Sequence, residues 1–475
     1  MNEPMLASHH AMAALAALWN EARLPASALA FADLPGRAAV LPSSFNVTTA
    51  AQASLAAAAL AAAEIWAMRT SERQRISVDA EHAVLESCGH FTVDGIAPEV
   101  WDKLSGLYPC GDAAGVPGWV RIHANFAHHR DGALRLLGCA PGPATGRAAV
   151  ADALRHWRAD EFETAAAQAG LVVAAARTFA QWDAHPQALA LAGVPTVSIE
   201  RIGDAPPRPW PAMGTRPRPL AGLRVLDLTR ILAGPVAGRT LAAHGAEVML
   251  VNSPGLPNIA AIADTSRGKL SAHADLKTDA GRDALRALLS DADVFLQAYR
   301  PGALQALGLG PQAVADLRPG LVVVSLSAYG AQGPWAGRRG FDSLVQTATG
   351  FNVAEAEAAG AKEPKAMPLQ ILDYAAGYLL AFGAQAALLR QRQEGGSWHV
   401  QVSLAGVGRW LRSLGRLPGG WDTRRPSYEP YLEATDSGFG RLVALRHAAQ
   451  FSRTPAGWDR PAMPPGTHPP RWPSA

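Results

Sequence analysis

Between residues 374 and 392 the chain runs YAAGYLLAFGAQAALLRQR, without a proline and with apolar residues on more than one face. Such a run predicts a helix buried on most sides, so the rest of the chain must fold around it. Gly377 and Gly383 each lower helix propensity by up to ~1 kcal/mol against Ala, a cost that makes sense if something approaches the helix closely. An extended lead-in at 368–372 precedes the run, Glu394-Gly395-Gly396 ends it, and residues 398–404 alternate like a strand. Asp373, at the opening, has two readings. It is a helix cap whose carboxylate accepts a backbone N–H, or a small, acidic nucleophile for a reactive carbonyl. Spacing alone does not choose between them.

A chain of 475 residues exceeds one ordinary core, and two or three domains are expected. Apolar content of 49% with 17% charged residues describes a soluble globular protein. The 43 bases and 40 acids leave a formal charge of +3, which gives no global pull towards nucleic acid or a membrane surface. Cys88, Cys110 and Cys139 are isolated thiols without a CxxC, which favours a reducing cytoplasm over a disulfide framework. Residues 51–63 are apolar but short and alanine-rich, with Glu64 behind them, and are read as neither signal peptide nor membrane span.

From Leu41 the chain runs LPSSFNVTTAAQASLAAAALAAAEIWAMRTSERQRISVDAEHAVL. This echoes the Asp373 stretch: an extended lead-in, a small-residue helix to about Arg69, a polar turn and a strand at 75–78. Thr48 or Thr49 stands where the later copy has Asp373, and a neutral hydroxyl cannot replace a carboxylate nucleophile. Residues 86–202 read as a mixed segment, with a strand at 119–123 and helices at 131–137, 148–157 and 161–169. His123, His128 and His129 invite a zinc reading, but no Cys or carboxylate falls at ligand spacing, and a surface cluster is the expectation. Residues 203–219 are rich in proline and arginine and read as a linker.

Beyond the linker the pattern becomes βαβ. Strands are expected at 223–228, 247–251, 294–297 and 321–326, with a helix from Pro235 to about His244 and another from the Thr278 cap to Leu289. This alternation predicts a parallel, doubly wound sheet, an α/β fold, with ligands beyond the carboxyl ends of its strands. The loops at 229–234, 298–302 and 327–333 are therefore the ones to watch. The first turn reads LTRILAGP rather than GxGxxG, strand two ends in Asn252 rather than an acid, and GxxxxGK[ST] is absent. Dinucleotide and P-loop readings both fail.

The segments PLAGLRVLDLTRILAGP, LAAHGAEVMLVN, ADLKTDAGRDALRALLSDADVFLQAYRPGALQALGLG and LVVVSLSAYGAQGPWAGRRGFDSLVQTATGF, in this order, resemble the class III CoA-transferases, which include the formyl-CoA and carnitine CoA-transferases. The resemblance runs from about Pro219 to Ser403, and the tail FSRTPAGWDRPAMPPGTH is similar to the family's ending. It implies a doubly wound CoA-binding domain with a smaller α+β domain. It implies that Asp373 attacks an acyl-CoA thioester to give a mixed anhydride, that CoA returns to form an aspartyl-CoA thioester, and that an acceptor carboxylate then collects the CoA. Gly377 and its alanine neighbours would let the thioester arm lie against the helix. CoA contacts are implied at Leu232 and Ala233, at Leu276 and Lys277, at Tyr299 and Arg300, and at Arg338, Arg339 and Phe341. Asn252, Ala298 and Ala306 depart from the family's usual acid, Asn and basic residue.

CoA and acyl-CoA are expected as substrates together with a carboxylic acid, and no permanently bound cofactor or metal is expected. The related α-methylacyl-CoA racemases place a histidine base before an acid. That pair here is Phe341-Asp342, so racemase or epimerase chemistry is the weaker alternative, and a catalytically lapsed CoA-binding relative is another. The implied partner is a second copy, in a homodimer that the family interlocks. Four segments are expected: a divergent half at 1–202 with a degenerate helix copy and the small domain, the linker, a catalytic domain at 220–437, and a tail at 438–475.

Overall fold

The computed structural model of the protein describes residues 3–473. Helix α1 (Glu3–Glu21) leads to the short strand β1 (Ala32–Asp33), the long helix α2 (Val47–Thr70), strand β2 (Ile76–Val78) and helix α3 (Ala80–Glu86), with β3 (Phe91–Val93) beyond it. Asp79 caps α3 by accepting the His82 N–H at 2.9 Å. Next comes a small α+β lobe. Strands β4 (Gly106–Cys110), β5 (Gly118–Ile122) and β6 (Val173–Ala175) form an antiparallel sheet, covered by helices α4 (Ala127–Leu136), α5 (Arg147–Leu154) and α6 (Ala159–Gln168). The lobe has its own core around Tyr108, Val120, Leu134, Leu154 and Phe162.

The large sheet is built from β7 (Ser198–Gly203), β8 (Arg224–Leu228), β9 (Glu247–Asn252), β10 (Lys269–His273), β11 (Val294–Gln297), β12 (Val322–Ser327) and β13 (Ser397–Ser403). Its order is β10-β9-β8-β11-β12-β13-β7, parallel throughout except for the antiparallel edge β7. Helices α7 (Ala233–Ala243), α8 (Asp279–Ser290), α9 (Asp342–Ala348), α10 (Ile371–Glu394) and α11 (Leu404–Ser413) accompany it. The chain closes with a hairpin of β14 (Leu432–Ser437) and β15 (Gly440–Leu445), then β16 (Ala449–Phe451). Parallel strands must be covered on both faces. One face packs on α7 and α10, and the other carries a second core of Leu226, Met249, Phe295 and Val323 under Leu285 and Leu288 of α8.

The α/β class and the doubly wound parallel sheet are as expected, and the expected strands and helices fall within a few residues of those observed. Three expectations need correction. Residue 202 does not end a separate unit, because β7 hydrogen-bonds along β13 inside the large sheet. The catalytic segment and the tail do not part at 437, because β14 and β15 form one hairpin, and β15 continues onto β3 of the first half. The stretch at 203–219 has no regular structure but is no free spacer. Arg69 donates to the carbonyls of Pro219 and Ala221 at 3.0 and 2.9 Å, and Arg208 pairs with Asp293 at 3.3 Å.

Helix α10 is buried along nearly its whole length, and α2 is its most extensive helical neighbour, with Gln385 Nε2 donating to the Ala58 carbonyl at 3.0 Å. Both helices have 24 residues and both are long and apolar enough to cross a membrane; both are buried in the fold. Each leads into a strand and a further helix, α2–β2–α3 and α10–β13–α11. Strand β1 lies parallel to β2 as β12 does to β13, and β16 lies antiparallel to β2 as β7 does to β13. The strand that completes each sheet therefore arrives from the other half of the chain.

Candidate active site

In the large sheet β8 and β11 are neighbours whose following connections leave in opposite directions, which opens a crevice at their carboxyl ends. A cavity of about 310 Å³ lies there. Its walls come from the loops after β8 (Arg230, Ile231), β11 (Ala298–Pro301) and β12, from Arg338–Phe341, and from Phe126, His128 and His129 of the small lobe. Ile231 holds φ at 77°. A β-branched residue in the left-handed region is strained, and such residues persist where surrounding structure enforces them, often at ligand sites. Two of the crevice arginines are already engaged. Arg230 donates to the Pro257 carbonyl, while Arg338 donates to the Glu163 carbonyl at 2.9 Å and sits 4.1 Å from the Trp335 ring centre. Arg300 and Arg339 have no ion-pair partner among the described residues. Burial, and then the charge of Arg300, lower the Arg339 pKa. Two unneutralised guanidiniums in one crevice suit a polyanion, which both can bind by charge-assisted hydrogen bonds.

A second cavity, of about 240 Å³, shares Phe126, Ile231 and Phe341 with the first. Asp373 lines it, together with Cys88, Phe91, Trp101, His123, Leu232, Ser343 and Tyr374. Asp373 is the third residue of α10, not its cap, which corrects one reading of the sequence. The cap position is Gln370, which makes no side-chain cap bond. The exposed backbone donor at the helix start is satisfied from outside, by Asp342 Oδ2, which accepts the Asp373 N–H at 2.9 Å. The Asp373 carboxylate is partly exposed to the cavity and has no hydrogen-bond partner among the described residues. Burial first, and the charge of Asp342 second, push its pKa well above the ordinary carboxylate range.

Asp342 is 0% exposed. Burial raises its pKa as well, opposed by the N–H groups of Asp373 and Leu372, the Gln346 amide and the charge of Arg121. Gln346 donates to Asp342 Oδ1 and to the Leu369 carbonyl and accepts from the Met367 N–H. Asn352 donates to the Lys365 carbonyl at 3.0 Å. The extended lead-in to α10 is thus held by a buried polar network from α9 and from the short helix Phe351–Ala358 that follows it.

Of the residues singled out from sequence, Tyr299, Arg300, Arg338, Arg339 and Phe341 line the crevice. Phe341 also faces the Asp373 chamber, as does Leu232. Ala233 begins α7 and is buried. Leu276 and Lys277 line neither cavity: Leu276 packs beside the outer core, and Lys277 sits in the loop after β10 with its N–H on Asp275 Oδ1 at 3.1 Å. Of the departures, Ala298 lines the crevice, Asn252 is buried at the end of β9, and Ala306 lies in a 3-10 turn before residue 308. Gly377 does not serve a substrate arm. A Cβ there would lie 2.7 Å from both the Ala233 carbonyl oxygen and Val236 Cγ1, so this glycine lets α7 close on α10. Nor are the histidines a surface cluster, since His123 and His129 are buried, and His123 stacks on Phe341 with ring centres 4.1 Å apart. An imidazole therefore does reach the chamber, although the residue before Asp342 is Phe. Its pKa, pushed down to about 3 by burial, His129 and Arg121, makes it a poor base for an α-proton.

The family model for CoA-transferase family III matches residues 220–414. These residues belong to CoA-transferase family III. The family's segment thus covers the parallel strands β8–β13, α10 and α11, whereas His123, His128 and the rest of the small lobe lie outside it. Among curated proteins the chain is similar to the acetyl-coenzyme A transferase nodX of Hypoxylon pulicicidum, with 35% identity over 52% of this chain and 43% of that protein. It is also similar to the succinate–glutarate CoA-transferase of Agrobacterium fabrum, with 32% identity over 51% of this chain and 66% of that one. The crystal structure of Rv3272 from Mycobacterium tuberculosis aligns at 38% identity over 41% of this chain and 56% of its own, with a TM-score of 0.38. The chain spans about half the length of the curated relatives it matches.

Proposed function

We propose that the chain is a CoA-transferase that moves CoA between an acyl-CoA and a carboxylic acid through covalent intermediates on Asp373. The observation that carries this reading is a carboxylate with no hydrogen-bond partner among the described residues, at the start of a buried helix, in a chamber that shares the walls Phe126, Ile231 and Phe341 with a crevice holding two arginines that have no ion-pair partner among those residues. In this reading the crevice holds the CoA phosphates on Arg300 and Arg339 and lets the thioester reach the chamber. An Asp373 oxygen bonds to the thioester carbonyl carbon, the C–S bond breaks, and the thiolate leaves with the electron pair, which gives an acyl anhydride on Asp373. The thiolate then attacks the Asp373 side of the anhydride and releases the first acid. The acceptor carboxylate attacks the resulting aspartyl thioester, and CoA is transferred to it in a second exchange of the same kind. Water must be kept from the anhydride, and the small lobe supplies cover through Trp101, His123 and Phe126.

The test is to incubate the protein with a panel of acyl-CoAs and an acceptor acid, and to trap the enzyme-bound acyl group with hydroxylamine. Wild type should form the acyl hydroxamate and transfer CoA. Asp373→Asn should keep its fold and lose transfer by several orders of magnitude, because an amide cannot form the anhydride. Near wild-type turnover in that variant would end the mechanism, and CoA binding without any trapped acyl group in wild type would mark a lapsed relative.

A further inference from the structure

His123 follows β5 directly and reaches from the small lobe into the Asp373 chamber. Its N–H donates to the Val172 carbonyl at 3.2 Å, which pins the backbone. Its ring lies on Phe341 at an interplanar angle of 19°, with the Trp101 ring 5.9 Å away in an edge contact. Phe341 directly precedes Asp342, whose carboxylate takes the Asp373 N–H. The imidazole and the proposed nucleophile are therefore positioned through the same two residues.

His123 is 6% exposed, and its Nδ1 is buried with no hydrogen-bond partner among the described residues. Leaving a buried polar atom unpaired costs about 1–3 kcal/mol, so an imidazole in a residue that lines the chamber asks for a reason. The neighbouring polar groups do not meet it. Asn125 is spent, donating to the Val100 carbonyl at 2.8 Å and accepting from the Asp102 N–H and the Ser105 hydroxyl at 3.0 and 2.7 Å. The Ser343 hydroxyl is also unpartnered, but a serine in a first helical turn can rotate towards a backbone carbonyl, which a stacked imidazole cannot do. With its pKa pushed down to about 3, the ring is neutral at any working pH and carries one N–H.

We propose that the His123 imidazole donates its N–H to the carbonyl oxygen of the acyl group as Asp373 attacks it. The inference rests on the CoA-transfer reading above. As the Asp373 oxygen bonds to the carbonyl carbon, the C=O π pair moves onto the oxygen, where the N–H receives the growing negative charge. The pair then returns to re-form C=O as the C–S bond breaks and the thiolate leaves. No proton changes hands, so a neutral donor suffices. The same donor serves when the thiolate or the acceptor carboxylate attacks the aspartyl carbonyl. The small lobe, outside the segment that carries Asp373, thereby supplies a catalytic residue.

The experiment compares His123→Phe, which keeps a ring to stack on Phe341, with His123→Gln, which keeps an N–H donor. Steady-state kcat and KM are measured with an acyl-CoA that wild type transfers, and CoA binding is followed by calorimetry. Removal of one oxyanion donor typically lowers kcat by about 10²–10³-fold, and that loss is expected in His123→Phe. KM and CoA affinity should stay unchanged, because the crevice arginines are untouched, and His123→Gln should recover part of the rate. A wild-type kcat in His123→Phe overturns the proposal. So does an equal loss in both variants, with or without lost CoA binding, since His123 is then only a wall. A wild type that traps no acyl group from any acyl-CoA overturns the transferase reading itself, which is a different result.

Discussion

Asp342 and Asp373 are two carboxylates, one at the start of α9 and the other in the first turn of α10, and one holds the other by the backbone. The nucleophile must be ionised, so transfer should fall as pH drops through the raised pKa of Asp373. Asp342→Asn removes the neighbouring charge while leaving an oxygen that can accept the Asp373 N–H. The acid limb of the kcat/KM profile should therefore move to lower pH in this variant. A limb that stays in place, or moves up, would show that Asp342 does not raise the basicity of Asp373. Stability carries the same sign. Both carboxyls hold protons more tightly folded than unfolded. Unfolding is thus hardest below the ordinary carboxylate range and becomes easier as pH rises through the raised values, a loss that Asp342→Asn should reduce. The pair Phe341-Asp342 stood out in the sequence as the place of a racemase motif. Its work could not be read there, because the contact with Asp373 spans 31 positions. His123 was equally hidden, since nothing in its neighbourhood of chain announces that its ring meets Phe341.

Helix α10 was the most legible element, and its two glycines the most informative residues within it. That something comes close to them was readable; what comes close was not. Gly383 faces Val400 and Val197, where a Cβ would lie 2.5 and 2.9 Å from their methyl carbons, and Gly377 faces the start of α7. Gly377→Ala improves helix propensity by about 1 kcal/mol. The new methyl would meet a backbone carbonyl that cannot turn aside, and overpacking of this kind costs about 1–3 kcal/mol. A net loss of stability is expected in chemical denaturation, and because Ala233 ends the loop that carries Ile231, a lower CoA affinity should accompany it. A more stable variant would show that α7 yields easily. Strand β10 shows the opposite limit of legibility. Its sequence KLSAH begins with a lysine and is not among the strands expected from the sequence. In the fold Lys269 is wholly buried, donating to Asp227 Oδ2 and to the Pro235 carbonyl, each at 2.8 Å. An ion pair between β10 and β8, two strands apart in the sheet, erases the apolar pattern on which strand recognition depends.

At the scale of the whole molecule, the two halves are tied to each other rather than strung together. The resemblance implied an interlocked pair of subunits; within this chain, β7 and β16 already cross between the two halves. If the first half were an appendage, residues 219–475 should fold and work alone. Four observations argue otherwise. Without α2, the buried face of α10 would be opened to water, and the Gln385 bond to Ala58 would be lost. Without β7, strand β13 would become an open parallel edge, a template for aggregation. Glu86, which pairs with Arg239 at 3.1 Å, would be gone, leaving the buried Arg239 with Asp264 as its remaining carboxylate partner, one that it shares with Arg267. Finally, the lobe residues Trp101, His123 and Phe126 would no longer cover the chamber, so an anhydride formed there would meet water. The fragment 219–475 should therefore aggregate, or hydrolyse acyl-CoA slowly without transferring it. Co-expression of residues 1–213 with 214–475 as separate chains should restore a soluble, transferring complex, because the cut falls in a stretch without regular structure while every contact above is kept. A soluble 219–475 fragment with full transferase activity would show that the first half is dispensable, and the cover it lends the chamber would then have no part in catalysis.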